Sequence, residues 1–299
     1  MTRARPAGNT AAVIPQPAGI AMAGHAYCAT HCMPHPKRAL RDEVHVWLVE
    51  PVAWRRAFGD DGLILSAEER IAADTFTLGT LRERYMTAHG AVRRLLSLYV
   101  DMSPVSWVLR RGTRGKPFIA GNSDLRFSLS YGDDLIAIAI ARNVELGIDI
   151  ISTHRRVDVM QIAEYVFAQE EIADLRAVGA DLARDRFFDF WALKEAYAKA
   201  TGAGFWENPN RYAFSFPRQD VIAFRHDSNE DDRPWQFVLG CAPRDHRLAV
   251  AVRSREGQSR KIIARMAPSG EVAALAADRA YGDGKHGVGD SIPSVAKLP

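Results

Sequence analysis

Cysteine is scarce in this chain. Cys28, Cys32 and Cys241 are the whole complement, too few for a disulfide framework, so a reducing compartment, the cytoplasm, is expected. Long apolar runs are missing too. The longest, Leu135 to Ala141, falls far short of a bilayer span, which excludes a membrane role at this stage. Charge of one sign is also lacking: 39 Lys and Arg against 36 Asp and Glu leave +3, too little for a general nucleic-acid binder. No acid precedes Asp42, and the stretch before it is rich in Ala, Pro and Gly. Pro15 and Pro17 interrupt any targeting-type apolar segment, so residues 1–42 are expected to be a disordered tail. Within it His25, Cys28, Cys32 and His35 have metal-like HxxC and CxxH spacing. Nothing around them builds the folded loop that a structural zinc needs.

What is present reads as an ordinary globular protein. The 299 residues are 47% hydrophobic and 25% charged, enough for one large or two small domains with a sizeable core. After Arg253 come mixed polar residues, a short Ala-rich segment and YGDGKHGVGD, so 254–299 is expected to be a flexible tail. The working protein is then 43–253.

Inside that core, strand and helix patterns alternate. Val44, Val46 and Leu48 mark a half-buried strand. Ser66 and Glu69 form a capping box that opens the helix of LSAEERIAADTF. The next helix is expected from about Thr80 to Met102, with Tyr85, Ala88, Val92, Leu95, Leu96 and Tyr99 on one stripe. SWVL, LRFSLS and LIAIAIA read as strands, the last buried on both faces. LGIDII starts a second, similar series. DVMQIAEYVF and QEEIADL read as helices, RDRFFDFWALKEAYAKATG as a long helix stopped by Gly202, and 211–225 and 235–252 as strands. LSAEER before one long helix echoes FAQEEI before the other. The fold class expected is therefore α/β (α+β), a pseudodimer of two similar halves, 43–145 and 146–253, with the site in the cleft between them.

Three segments carry candidate chemistry. In WALKEAYAKATGAG, Trp191, Glu195 and Lys199 recur every four residues and share a helix face. On an arbitrary helix this is an aromatic core contact and a solvated ion pair. A carboxylate and an ammonium one turn apart beside an aromatic can also hold a divalent cation and its phosphate. Asp149, between Ile148 and Ile150, is costly to bury unless it is paired or binds metal; at a strand end it could equally face solvent. Magnesium takes one or two carboxylates plus phosphates and water, which one acid from a strand and one from a helix would satisfy. RRGTRGKPF gathers Arg110, Arg111, Arg114 and Lys116 in a Gly-containing loop that ends at Pro117, offering cations and N–H groups to phosphate or forming a merely solvated hairpin. Ser128 and Ser130 alternate around Leu129, giving that strand one polar face, and His89 alone is ambiguous.

Taken in order, RYMTAHGAVRRLL, GKP, FSLS, GIDI, FAQEE and WALKEAYAKATGAG resemble the Sfp-type 4′-phosphopantetheinyl transferases from about Val44 to Val252. The resemblance implies a magnesium-dependent enzyme that moves 4′-phosphopantetheine from coenzyme A to a serine of an apo acyl or peptidyl carrier protein. Adenosine 3′,5′-bisphosphate is released, and neither nucleic acid nor membrane is involved. It implies Asp149 and Glu195 as metal ligands, Glu195 also as the base for the serine, and Lys199 on the pyrophosphate. Arg111, Arg114, Lys116 and Pro117 fall in the segment that contacts the 3′-phosphate and adenine. Ser128, Leu129, Ser130 and Tyr131 fall in the segment that lines the nucleotide, and His89 matches a position that reaches the 3′-phosphate. Lys194 and Trp191 read as structural supports, and an internal pseudodimer makes a monomer the natural state.

The sequence departs from the family pattern at three places. Ile151 stands where many members have another acid, and Ser128 and Tyr131 replace the usual asparagine and histidine. These departures motivate a second reading, a coenzyme A- or carrier-binding homologue that has lost turnover. A third is a magnesium-dependent hydrolase that uses the same two acids.

Overall fold

The computed structural model describes residues 12–15, 40, 42–204, 209–218, 221–226, 234–254 and 257–267. The His25, Cys28, Cys32 and His35 pattern lies outside them. The architecture is mixed α+β.

One sheet has the strand order β12 (Lys261–Ala267), β2 (Glu43–Val49), β6 (Ile136–Arg142), β5 (Leu125–Tyr131). Beside it lies a second sheet of order β10 (Gln236–Ala242), β11 (His246–Ser254), β7 (Val144–Ser152). The period of two along each strand sorts the residues into layers. Trp47, Val49, Ile136, Ile138 and Ile140 pack against Ala88, Val92, Leu95 and Leu96 of helix α3 (Gly79–Ser97). The alternate residues Val44, Val46, Leu48, Ala137 and Ala139 meet Leu146, Ile148, Ile150, Leu248 and Val250 of the second sheet. That sheet turns Ile151, Ala249 and Ala251 toward helix α6 (Ala180–Thr201). β6 is therefore buried on both faces, as its unbroken apolar run predicts.

β5 and β7 are joined by side chains. Ser128 Oγ accepts from the Ile148 N–H at 3.1 Å, and Ser130 Oγ accepts from the Ile150 N–H at 3.2 Å. The small polar face of β5 thus satisfies N–H groups of the neighbouring strand.

The remaining elements cover the ends. Helix α1 (Pro51–Phe58) and helix α2 (Ala67–Asp74) precede α3, and the capping box at Ser66 and Glu69 is formed. Helices α4 (Val159–Val166) and α5 (Gln169–Ala177) precede α6. A further sheet has the order β1 (Ala12–Pro15), β9 (Val221–His226), β8 (Tyr212–Arg218). A hairpin of β3 (Leu109–Arg111) and β4 (Pro117–Ile119) carries the basic loop. No described helix is long and apolar enough to cross a membrane.

Four sequence expectations need correction. Of SWVL only Leu109 is in a strand, as the start of β3: Pro104–Ser106 form a 3₁₀ turn, and Trp107 is buried with its indole N–H donating to Ser97 Oγ at 2.9 Å. The long helix stops at Ser97 rather than Met102, because the Leu98 N–H turns back to Leu95 and Leu96 carbonyls in a tightened last turn. The expected flexible tail 254–299 contains β12, which pairs in parallel with β2 and buries Ala267. The expected N-terminal tail contains β1, antiparallel to β9.

Candidate active site

Gly147 decides how closely α6 can lie on β7. A Cβ at this position would sit 1.9 Å from the Ala196 carbonyl oxygen and 2.5 Å from the Ala200 nitrogen. Only a residue without a side chain admits that approach. Two residues on, and so on the same face of β7, Asp149 points at the helix. Its Oδ1 accepts from Lys199 Nζ and from Ser130 Oγ, both at 2.7 Å. Its Oδ2 is buried and accepts no hydrogen bond.

α6 supplies the other half of the site. Glu195 and Lys199 lie one turn apart, and the helix ends at Gly202 in the left-handed conformation at φ 72°. Burial pushes the Glu195 carboxyl up, the Asp149 charge pushes it further and Lys199 pulls it back, leaving it at about 7. Glu195 therefore feels the Asp149 charge in a desolvated site. Trp191, the third member of that spacing, packs against Phe187 with ring centroids 5.7 Å apart, a structural contact. Lys194 is fully buried in an ion pair with Glu171 at 2.9 Å and donates to the Tyr212 carbonyl at 2.8 Å.

Glu195 and Lys199 form one wall of a cavity of about 220 Å³. Arg114, Lys116 and Pro117 form a second wall, and Phe127, Ser128 and Leu129 line a third. Lys116 is more than a wall residue. Its ammonium donates to the Ala200 carbonyl at 2.6 Å and the Leu146 carbonyl at 3.3 Å, capping the C-terminal turn of α6 and tying it to β7. Burial brings its pKa down to about 8.

Asp149 and Ser130 stand behind Lys199 rather than on the cavity wall. His89, Arg111 and Tyr131 belong to another cluster. His89 Nδ1 donates to Glu69 Oε1 at 2.9 Å while its ring stacks on Tyr85 at 4.1 Å. Arg111 donates weakly to the Tyr85 hydroxyl at 3.4 Å, and Arg93 Nε donates to Glu69 at 2.9 Å. Burial opposes ionisation of Glu69, but His89, the Ser66 N–H and Arg93 outweigh it and hold its carboxyl at about 2. Tyr131 is pushed well above the usual phenol range, chiefly by burial, and Arg84 lies over its ring at 5.6 Å.

The donor set fits a hard cation that keeps most of its shell for other ligands. Among the described residues no group of three or more His, Cys, Asp or Glu converges as a complete metal cage. Two neighbouring carboxylates, one with a buried free oxygen, suit magnesium, which holds a few protein oxygens and fills the rest with phosphate and water. Ile151 adds no ligand, since it packs in the apolar core with Phe187 and Phe188.

The chain is similar to the HetI 4′-phosphopantetheinyl transferase of Nostoc, 30% identical over 168 residues that cover 55% of this chain and 71% of that protein. Residues 145–251 match the 4′-phosphopantetheinyl transferase superfamily model. The chain belongs to this family. A Thraustochytrium phosphopantetheinyl transferase is 27% identical to it over 70% of this chain and 78% of that protein. The holo-[acyl-carrier-protein] synthase structure of Thermotoga maritima covers 37% of this chain and 62% of its own at 20% identity, with a slight TM-score of 0.32.

The matched span of this transferase contains Asp149, Glu195 and Lys199, the residues that the fold gathers at one end of α6. Sequence reasoning passed over Gly147 and Tyr85. The first carries a usable signal, a glycine two residues before a buried acid on the same strand face. Tyr85 has only its place on an apolar stripe and its four-residue spacing from His89 on the same helix; its other partner, Arg111, comes from a distant hairpin.

Proposed function

We propose that the transferase moves 4′-phosphopantetheine from coenzyme A to a serine hydroxyl of an apo acyl or peptidyl carrier protein, leaving adenosine 3′,5′-bisphosphate. The observation that carries this reading is the Asp149–Lys199 ion pair at 2.7 Å with Glu195 one turn before Lys199 on the same helix, and with Asp149 Oδ2 buried and unpaired. A desolvated pair of like charges is costly unless a cation joins it. Asp149 and Glu195 would hold magnesium, which when bound supplies neutralising charge at the coenzyme A pyrophosphate.

The chain's own groups then divide the work. Lys199 offsets the charge that develops on the leaving phosphate. A Glu195 carboxylate oxygen takes the proton of the carrier serine. The serine oxygen bonds to the phosphorus that bears the pantetheine arm. The P–O bond to adenosine bisphosphate breaks, and its electron pair leaves with the bisphosphate. Arg114 and Lys116 offer cations to the nucleotide, Pro117 and Leu129 an apolar surface, and Ser128 a hydroxyl. His89, Arg111 and the protonated Tyr131 phenol form the 3′-phosphate side.

The same reading takes 43–145 and 146–253 as two halves of a pseudodimer. A repeated polar join supports it. Glu69 and Glu171 each stand at the third position of a short helix and reach back to the N–H before it. Each also pairs with a buried cation in the following long helix, Arg93 and Lys194 respectively. Only the first has a full capping box, since Ala168 has no side-chain acceptor.

Intact mass spectrometry of an apo carrier protein incubated with enzyme, magnesium and coenzyme A tests the function. A gain of one phosphopantetheine on the carrier is expected. Carrier binding without a mass gain, or coenzyme A cleavage with an unmodified carrier, would refute it.

A further inference from the structure

Ser130 is 3% exposed and lies behind the cavity wall, on the β5 face that meets β7. Its hydroxyl has one proton to give and two lone pairs to accept with. Three partners stand around it: Asp149 Oδ1 at 2.7 Å, Lys199 Nζ at 2.7 Å and the Ile150 N–H at 3.2 Å. An ammonium and a backbone N–H can only donate, and a carboxylate only accepts. The proton of Ser130 therefore goes to Asp149, and both lone pairs are taken by Lys199 and Ile150. The hydroxyl's capacity is used in full, so its direction is fixed.

The consequence falls on Asp149. One oxygen receives both the Ser130 hydroxyl and the Lys199 ammonium, and the other, buried, receives nothing. A carboxylate held by Lys199 alone could turn about its last torsion and exchange the two oxygens. The second bond, from a hydroxyl anchored to the backbone of Asp149's own strand, removes that freedom. Ser128 provides an internal comparison. It makes the matching bond to the Ile148 N–H at 3.1 Å, while neither Asp149 oxygen bonds to it.

We propose that Ser130 is a positioning residue for the transfer reaction, holding Asp149 so that Oδ1 engages Lys199 and Oδ2 is presented to the divalent cation. The proposal rests on Asp149 being a metal ligand, as read above. Partners that orient a ligand without touching the metal typically govern affinity by 10- to 100-fold.

The test is Mn²⁺ binding to the full-length protein, read as loss of the free-ion electron paramagnetic resonance signal. Ser130→Ala is expected to weaken binding about 10-fold or more. Ser130→Thr keeps the hydroxyl and should restore most of it. Ser152→Ala, on the strand of Asp149, loses a buried hydroxyl that accepts from the His154 N–H but no bond to Asp149, and should stay within about twofold of wild type. In the transfer assay Ser130→Ala should raise the magnesium concentration needed for half-maximal rate more than it lowers the saturated rate. Should Ser130→Ala fail to fold, Ser130→Cys, with similar volume and a weak donor, is expected to show the same loss. Wild-type affinity in the folded Ser130→Ala or Ser130→Cys variant overturns the proposal alone, as does an equal loss in Ser152→Ala. A wild-type protein that binds no Mn²⁺ overturns the ligand reading and the proposal together.

Discussion

Gly147 and Asp149 show how much a single strand face decides. The helix-facing side of β7 runs Gly147, Asp149, Ile151: first a gap for the helix, then an acid, then a core side chain. Replacing Gly147 with alanine would drive a Cβ into the Ala196 carbonyl at 1.9 Å, a backbone contact that no rotamer relieves. Gly147→Ala is expected to cost about 3 kcal/mol in urea unfolding and to lower transfer sharply, as Asp149 is carried away from Lys199. At this scale Asp149, Glu195 and Lys199 were legible in the sequence, because a four-residue helical spacing and an acid between two isoleucines are local patterns. Lys116 was legible only as a cation for phosphate. Its bond to the end of α6 joins residues far apart in the chain, and no local pattern announces a cap supplied from a hairpin.

Between elements, buried charges hold helices to their neighbours. Glu171 and Lys194 are both fully buried, with Glu171 also accepting from the Phe214 N–H at 2.9 Å. Burial pushes the Glu171 carboxyl up and the Lys194 ammonium down, so each ion depends on the other. Lys194→Met should therefore destabilise by about 3–5 kcal/mol, and adding Glu171→Gln should recover part of that loss in the same thermal or chemical melts. Glu69 makes the corresponding join between α2 and α3, and its sign with pH is definite. Its carboxyl sits at about 2 in the folded protein against an ordinary 4.5. The stability it adds is complete above about 4.5 and is lost as the pH falls from there toward 2. That loss is on the order of 2–3 kcal/mol, and Glu69→Gln should flatten this acid limb in pH-dependent unfolding. The capping box was legible at Ser66 and Glu69, and Lys194 as a structural support, whereas the pairing of each cation with its glutamate was not, since it joins two helices across a face set by packing.

Across the whole molecule, helix α3, the β12-β2-β6-β5 sheet, the β10-β11-β7 sheet and helix α6 stack as successive layers. Strand and helix order was readable from periodicity, and the double burial of β6 from its unbroken apolar run. The parallel pairing of β12 with β2 was not, because it joins the far ends of the described core and Lys261 and Arg265 break up the apolar pattern of KIIARMA. The cavity lies where β5, the basic hairpin loop and the end of α6 converge, with Asp149 of β7 just behind.

At that junction the stack holds two carboxylates together at a cost to the metal-free protein. With Glu195 at about 7 against an ordinary 4.5, the metal-free protein should lose stability as the pH rises from 4.5 through 7. Glu195→Gln is the most direct measurement, made above pH 7 with two readings on one preparation: carrier mass with coenzyme A and magnesium, and the thermal midpoint without metal. No phosphopantetheine is expected on the carrier over the time in which wild type modifies all of it, with a midpoint equal to or above wild type. Near-normal carrier modification by the folded variant would contradict the roles given to Glu195.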